Sequence, residues 1–376
     1  MELDDFRSSV DRWLELNAEL LSPDHSGFGS LDEQMVQLSK TRRLAYDAGW
    51  MRYGWPERVG GLGGSPLHRA YLGEALASRD LIDPGLYSLV EVLAPTMIDY
   101  ARPELAAAMV PRLLRGDETW CQGFSEPDTG SNLAALTCRA EATDDGWRVT
   151  GQKVWTSLAQ YADRCVLLTR TGTTESRHRG ITALFVDMTT PGISVRPLET
   201  MHGVEEFSEV FFDDVRVPFD RTLGEVDHGW SVAMDLLPYE RSTALWYRGA
   251  FLYRRLEQLL NDAAVGVLAA DDVGEVFEDL YALRARSRMT LYRLDAGEQL
   301  GPETSVDKVL LASTEQALFD LVPNALPHDL LCGDDEVSEG WRAQFLYSRA
   351  ATIYGGSSEI QRNIIAKRLL DLGDDR

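Results

Sequence analysis

Basic charge is what this chain lacks most: across 376 residues, 37 lysines and arginines face 60 aspartates and glutamates, a formal net charge of −23. Nucleic-acid binding rests on basic side chains that displace counterions from phosphates, so no nucleic-acid partner is expected. An anionic membrane surface is disfavoured for the same reason, although a local basic pocket can still receive an anionic small molecule. Cysteine is scarce as well. Cys121, Cys138, Cys165 and Cys332 lie far apart without metal-ligand spacing, which gives no metal site and suits reduced thiols in a cytoplasm better than a disulfide framework. The first ten residues carry Glu2, Asp4 and Asp5 and no basic start or apolar run, so no secretory signal is expected. No later apolar stretch is long enough to span a bilayer.

What is present is a large apolar complement, 44% of residues with nine tryptophans, enough for two or three packed units. From Met1 to about Arg115 apolar residues recur at helical spacing, as in Phe6, Val10, Trp13 and Leu14. The run is broken by Tyr53-Gly54-Trp55-Pro56 and by Gly60, Gly61, Gly63 and Gly64, which lack the strand and lysine of a phosphate-binding P-loop and read as plain loop. Between about Thr119 and Pro218 short apolar runs alternate with turn residues: Trp147-Arg148-Val149 after Asp144-Asp145-Gly146, then 165–168, 183–186 and 210–212. This is a small β domain, with Thr171 to Arg179 as an exposed connecting loop. Helical periodicity returns after Gly229, with Leu252, Leu256, Leu259 and Leu260 along one long segment and further helices at 273–294, 306–321, 340–351 and 357–370. The fold class is therefore α+β, mainly α, with boundaries at 1–118, 119–222 and 223–376.

Two linked segments carry more specific information: Gly123-Phe124-Ser125-Glu126-Pro127-Asp128-Thr129-Gly130-Ser131-Asn132, and Gly151-Gln152-Lys153-Val154-Trp155-Thr156-Ser157. Together they resemble the flavin-facing signatures of acyl-CoA dehydrogenases. Three further blocks resemble the same family in the same order: 53–56 with its glycines, Phe207 to Pro218, and Ile353 to Arg362. The resemblance implies a helical N-terminal domain, a central β-barrel-like domain and a C-terminal four-helix bundle. It also implies FAD as cofactor, and dehydrogenation of an acyl-CoA, or an acyl-carrier thioester, to the 2-enoyl thioester with hydride passing to flavin N5. By this resemblance Ser125 matches the hydroxyl at the flavin pyrimidine edge, Trp155 the aromatic packed on the ring, and Ser157 the hydroxyl near N5, where threonine is more usual. Gln122, Phe124, Gly130, Thr156, Ser357 and Glu359 are further cofactor-binding candidates. Ser131 matches a position shared by flavin and substrate. Hydrogen bonds near N5 tune the cofactor's electronics, which is the protein's usual contribution.

The reaction needs a base, and a carboxylate in a water-poor pocket can be raised towards neutrality for that task. Many family members place this glutamate immediately after the tyrosine that matches Tyr354; here the residue is Gly355. A second branch, resembling isovaleryl-CoA and long-chain dehydrogenases, places the base on a bundle helix just before an arginine. Glu240-Arg241 stands at that place, so Glu240 is the expected base and Arg241 a helper that orients the helix, base or substrate. Gly355 keeps a backbone N–H, which the family uses to hold the thioester oxygen as negative charge develops on it.

Departures from the common pattern concern assembly. The Arg-x-x-Phe-Gly segment and a glycine-rich stretch, both reaching a neighbouring subunit's FAD in common members, are absent; the chain has Leu283-Arg284-Ala285-Arg286-Ser287-Arg288 and Val322 to Pro327 instead. This resembles subfamilies acting on bulky acyl-CoA side chains, including those of steroids. The expected partners are an electron-transfer-flavoprotein-like acceptor and either further copies, as a homodimer or homotetramer, or a paralogous chain in a heterotetramer. Two alternatives remain at this level: a noncatalytic partner subunit, and an oxidase or monooxygenase on the same fold.

Overall fold

The structure is a computed structural model that describes residues 1–24, 29–239, 243–264 and 266–373. In chain order the helices are α1 Leu3–Leu16, α2 Ala18–Leu21, α3 Leu31–Asp47, α4 Pro66–Ala77, α5 Pro84–Tyr100, α6 Pro103–Arg115, α7 Gly229–Tyr239 and α8 Thr243–Asp262. They continue as α9 Ala270–Asp295, α10 Thr304–Phe319, α11 Val322–Ala325, α12 Pro327–Cys332, α13 Glu336–Ser348 and α14 Ser358–Ile364. The strands are β1 Trp120–Gly123, β2 Arg139–Ala142, β3 Trp147–Ser157, β4 Arg164–Arg170, β5 Ile181–Asp187, β6 Ile193–Leu198, β7 Phe207–Val217 and β8 Thr222–Leu223. Local chemistry sets many of these ends. Ser30 and Glu33 exchange hydrogen bonds in a capping box that starts α3. Pro103 opens α6, and Gly116 closes it at φ 81°.

The chain gathers into two compact units. The first comprises Met1–Trp55, Leu62–Ser88 and Pro238–Arg376. In it Leu252, Leu256 and Leu259 of α8 meet Leu280 and Leu283 of α9 and Leu318 of α10 in one buried cluster, all at helical spacing. The α4 helix packs on α8 and α9. Gly73 permits that approach, since a Cβ there would lie 2.6 Å from the Tyr247 ring.

The second unit comprises Pro56–Gly61 and Leu89–Leu237. Its sheet runs β6-β7-β3-β2-β4-β5-β8, with β1 paired in parallel to β4. The turn at 143–146 is closed by Thr143 N–H to the Gly146 carbonyl at 2.8 Å, which sets the β2–β3 hairpin register. Trp147, Val149, Val210 and Phe212 alternate inward with the three buried cysteines to form its core. The Thr171 to Arg179 segment, expected as a loop, falls largely in a kinked 3₁₀ turn from Thr174 to Gly180. Among the described residues, no helix is long and apolar enough to cross a membrane.

Candidate functional site

In the sheet unit, the two linked sequence segments are held side by side. Val154 N–H donates to the Ser125 carbonyl at 2.9 Å, so the segment just after β1 lies against the strand that carries Trp155. Beneath this contact, Lys153 is fully buried and its Nζ donates to Glu126 Oε1 at 2.8 Å and to the Phe124 carbonyl at 3.0 Å. Glu126 also accepts Cys138 N–H at 2.8 Å and both the N–H and hydroxyl of Thr137 at 2.7 Å. Burial opposes the Glu126 charge, but the Lys153 ammonium and these hydrogen bonds outweigh it and hold the carboxyl below its ordinary range. The pair was not singled out as functional from sequence; the signal was two charged residues at core positions inside motifs otherwise read for hydroxyls.

This clamp fixes an unusual surface. A register shift between Lys153 and Thr156 marks a bulge in β3, and Trp155 sits there at φ 58°, a conformation that costs a non-glycine residue on the order of 1 kcal/mol or more. Trp155 is 59% exposed, its ring steadied edge-on by Phe207 at 6.0 Å. The neighbouring Thr156 is buried, yet its hydroxyl has no partner among the described residues. Ser125, Gln122 and Ser157 are half-buried, Phe124 is buried, and Gly130 and Ser131 are exposed beyond a tight turn closed by mutual backbone bonds between Glu126 and Thr129. An exposed flat aromatic, half-buried serines and an orphaned hydroxyl form a surface suited to a planar, polar-edged ring system.

In the helical unit, Gly355 and Gly356 make a turn at φ 62° and 94°, and Ser357 caps α14 by accepting Ile360 N–H at 3.4 Å. Glu359 is exposed in the first turn of α14. The Gln361 side-chain amide donates to the Gly355 and Gly356 carbonyls, each at 3.3 Å. Glu240 and Arg241 lie outside the described residues.

Two arginines of the 283–288 segment are engaged within the helical unit. Arg284 stacks 3.5 Å over Trp246, donates to its carbonyl and pairs with Glu74, which also accepts Trp246 Nε1 at 2.6 Å. Arg286 binds Asp307 at 2.9 Å. Tyr247 is fully buried, edge-on to Tyr87. Trp246 and Tyr247 therefore pack α8 against its neighbours. Among the described residues no group of three acidic, histidine or cysteine side chains is placed to hold a metal ion.

Comparison with known proteins finds family models for the acyl-CoA dehydrogenase N-terminal domain over residues 4–117, the middle domain over 121–215 and the C-terminal domain over 227–370. Acyl-CoA dehydrogenase IpdE1 of Mycobacterium tuberculosis is 36% identical over 99% of this chain and 98% of its own length. Acyl-CoA dehydrogenase FadE34 of the same organism is 36% identical over 87% of this chain and 45% of its own. Among solved structures, a variant of the Tcur3481-Tcur3483 steroid ACAD matches with TM-score 0.82 at 25% identity, covering 100% of this chain and 99% of the other. The ChsE4-ChsE5 complex of Mycobacterium tuberculosis matches with TM-score 0.82 at 26% identity, over 99% and 98%.

Proposed function

The chain belongs to the acyl-CoA dehydrogenase family of flavin-dependent oxidoreductases, and on that premise we propose that Glu240 is the base that starts acyl-CoA α,β-dehydrogenation. The observation that carries the reading is the exposed, strained Trp155 beside the orphaned Thr156 hydroxyl, on a surface clamped by a buried ion pair. FAD fits this surface: Trp155 would pack on its ring, with Ser125, Thr156 and Ser157 offering hydroxyls and Gln122, Phe124, Gly130 and Ser131 lining its edges. Ser357 and Glu359, at the start of α14, are assigned to the cofactor by the same family pattern. When bound, FAD supplies the acceptor for the hydrogen that leaves the β carbon with its electron pair.

The protein's own task is the other hydrogen. Glu240 takes the proton from the carbon beside the thioester carbonyl, Arg241 and Ser131 orient the substrate, and Gly355 N–H holds the carbonyl oxygen as it gains negative charge. Glycine at 355 keeps the donor while leaving the carboxylate to come from Glu240. This reading divides the chain functionally at 1–118, 119–222 and 223–376, and places it in the cytoplasm, where its four free thiols would persist. The electrons would leave to an electron-transfer-flavoprotein-like acceptor.

For assembly, pairing with a paralogous chain is favoured by two observations. Arg284 and Arg286, the nearest replacements for the absent Arg-x-x-Phe-Gly contact, are engaged within their own unit, and two similar solved structures pair two different chains. The purified chain, titrated anaerobically with a panel of acyl-CoAs alongside Glu240→Gln, tests the main reading. Flavin bleaching in wild type but not in the variant is expected; equal bleaching in both overturns the base assignment. A colourless chain that gains flavin only when co-expressed with a paralogue would establish the paired assembly.

A further inference from the structure

The Tyr354–Gly355–Gly356 turn is fastened to the bundle by a buried charged network that the reaction as described does not use. Glu315 of α10 has no exposed surface and receives the Arg248 guanidinium of α8 in a two-pronged contact, at 2.8 Å to Oε1 and 3.2 Å to Oε2. The same Oε2 accepts the Tyr354 hydroxyl at 3.4 Å. One helical stretch earlier on α10, buried Lys308 donates to the Ala351 carbonyl at 2.5 Å and places its ammonium 4.3 Å from the centre of the Tyr354 ring. The Tyr354 side chain is thus held at its face and at its tip. Beyond it, Gln361 holds the two glycine carbonyls.

Buried ion pairs seldom add net stability over apolar residues of the same volume, so stability alone does not account for one here. Geometry does. The Gly355 N–H lies in the same rigid peptide plane as the Tyr354 carbonyl, and the two left-handed glycines that follow add no side chain to hold it. Whatever fixes Tyr354 therefore aims Gly355 N–H. A donor stabilises a developing oxyanion only when placed at about 2.7–3.1 Å from it, and a misplacement of about 1 Å can cost about a hundredfold in rate.

We propose that Arg248, Glu315 and Tyr354 are positioning residues for the dehydrogenation: the Arg248–Glu315 pair fixes the Tyr354 side chain, and Tyr354 aims the Gly355 N–H at the thioester oxygen. The proposal rests on the oxyanion role of Gly355 given above. Lys308 supports the ring from the other side.

The test uses the flavin-loaded protein and a non-reacting 3-oxoacyl-CoA, whose ionisation to the enolate is followed by its ultraviolet absorption. Wild type should ionise the bound ligand at a lower pH than the free ligand. Tyr354→Phe should raise that pH by about one unit, a tenfold loss of enolate stabilisation, and lower kcat about tenfold with KM and flavin content unchanged. Arg248→Gln and Glu315→Gln should each lower thermal stability and kcat, because each strands a buried charge. The double variant should regain melting temperature while kcat stays low. Recovery of kcat together with melting temperature, or wild-type ionisation in Tyr354→Phe, overturns the positioning role alone. A wild type that leaves the ligand's ionisation unshifted removes the oxyanion reading, and the positioning role with it.

Discussion

Removing the charge of Glu126 should loosen the cofactor surface from beneath. In Glu126→Gln one carboxylate oxygen becomes an NH₂ group, which cannot accept the bonds now donated by either Cys138 N–H with Lys153 or Thr137 N–H with its hydroxyl. Lys153 has no exposed surface; with the NH₂ at the Oε1 place it would keep only the Phe124 carbonyl, and with the NH₂ at the Oε2 place it would keep a neutral oxygen in place of its counter-charge. Breaking a buried pair from one side costs about 3–5 kcal/mol, a large share of the 5–15 kcal/mol typical of a folded domain. Urea denaturation followed by far-ultraviolet circular dichroism should show that loss, with flavin retained less well because Ser125 and Trp155 ride on the clamped segments. The double variant Glu126→Leu with Lys153→Met should cost less than either single change. The pH dependence has a definite sign: Glu126 is held below its ordinary range despite its burial, by Lys153 and the hydrogen bonds. Its contribution is then present above the unfolded carboxylate value of about 4.3 and disappears as pH falls through the lower folded value. A Glu126→Gln loss under about 1 kcal/mol, or one that persists unchanged at pH 3, would refute the argument.

Trp155→Gly should free a left-handed position of its strain and leave the flavin-free protein as stable as wild type within about 1 kcal/mol, while flavin content after purification falls sharply. Arg284→Ala should do the reverse, lowering stability by about 1–3 kcal/mol through the stranded Glu74 contact and lost stacking on Trp246, with flavin per chain unchanged. Gly123→Ala should cost about 1–3 kcal/mol, because its Cβ would stand 2.8 Å from Leu167 Cδ1 and 3.1 Å from Cys165 Sγ. In maleimide labelling at pH 8, exposed Cys332 should react alone in the native protein. Cys138, whose thiol burial pushes to about 11, should react only on unfolding, by mass spectrometry of the labelled peptides.

The long helices were legible because their periodicity is local: the 273–294 and 306–321 segments correspond to α9 at Ala270–Asp295 and α10 at Thr304–Phe319. The strands at 165–168, 183–186 and 210–212 lie within longer ones, β4, β5 and β7, since edges of alternating pattern carry weaker signal than buried centres. β6 was not singled out, because Ile193-Ser194-Val195-Arg196-Pro197 is largely exposed and offers little apolar contrast. The parallel match of Cys121 with Cys165 leaves no mark in either segment, as register between distant strands is set by what the core can fill. The serines and Trp155 were singled out from their motifs, whereas the Glu126–Lys153 clamp and the Arg248–Glu315–Tyr354 network left no such mark. Charged residues read as solvent-facing until a fold shows them buried together. Arg284 makes the same point: its place in a row of arginines does not disclose that it is engaged with Glu74 and Trp246.

The first compact unit is assembled from both ends of the chain, with the sheet unit's residues inserted between Ser88 and Pro238. On a ribosome adding about 5–20 residues per second, the roughly 150 intervening residues take roughly 8–30 s to appear. Throughout that interval α4 has been made but α8 and α9, which cover its apolar side, have not. The sheet, whose partners are closer in sequence, can close first. Newborn chains therefore pass through a stage in which the N-terminal helices await their cover, and a premature stop near residue 237 would make that stage permanent, leaving a sticky surface for chaperones or for other unfinished copies to find.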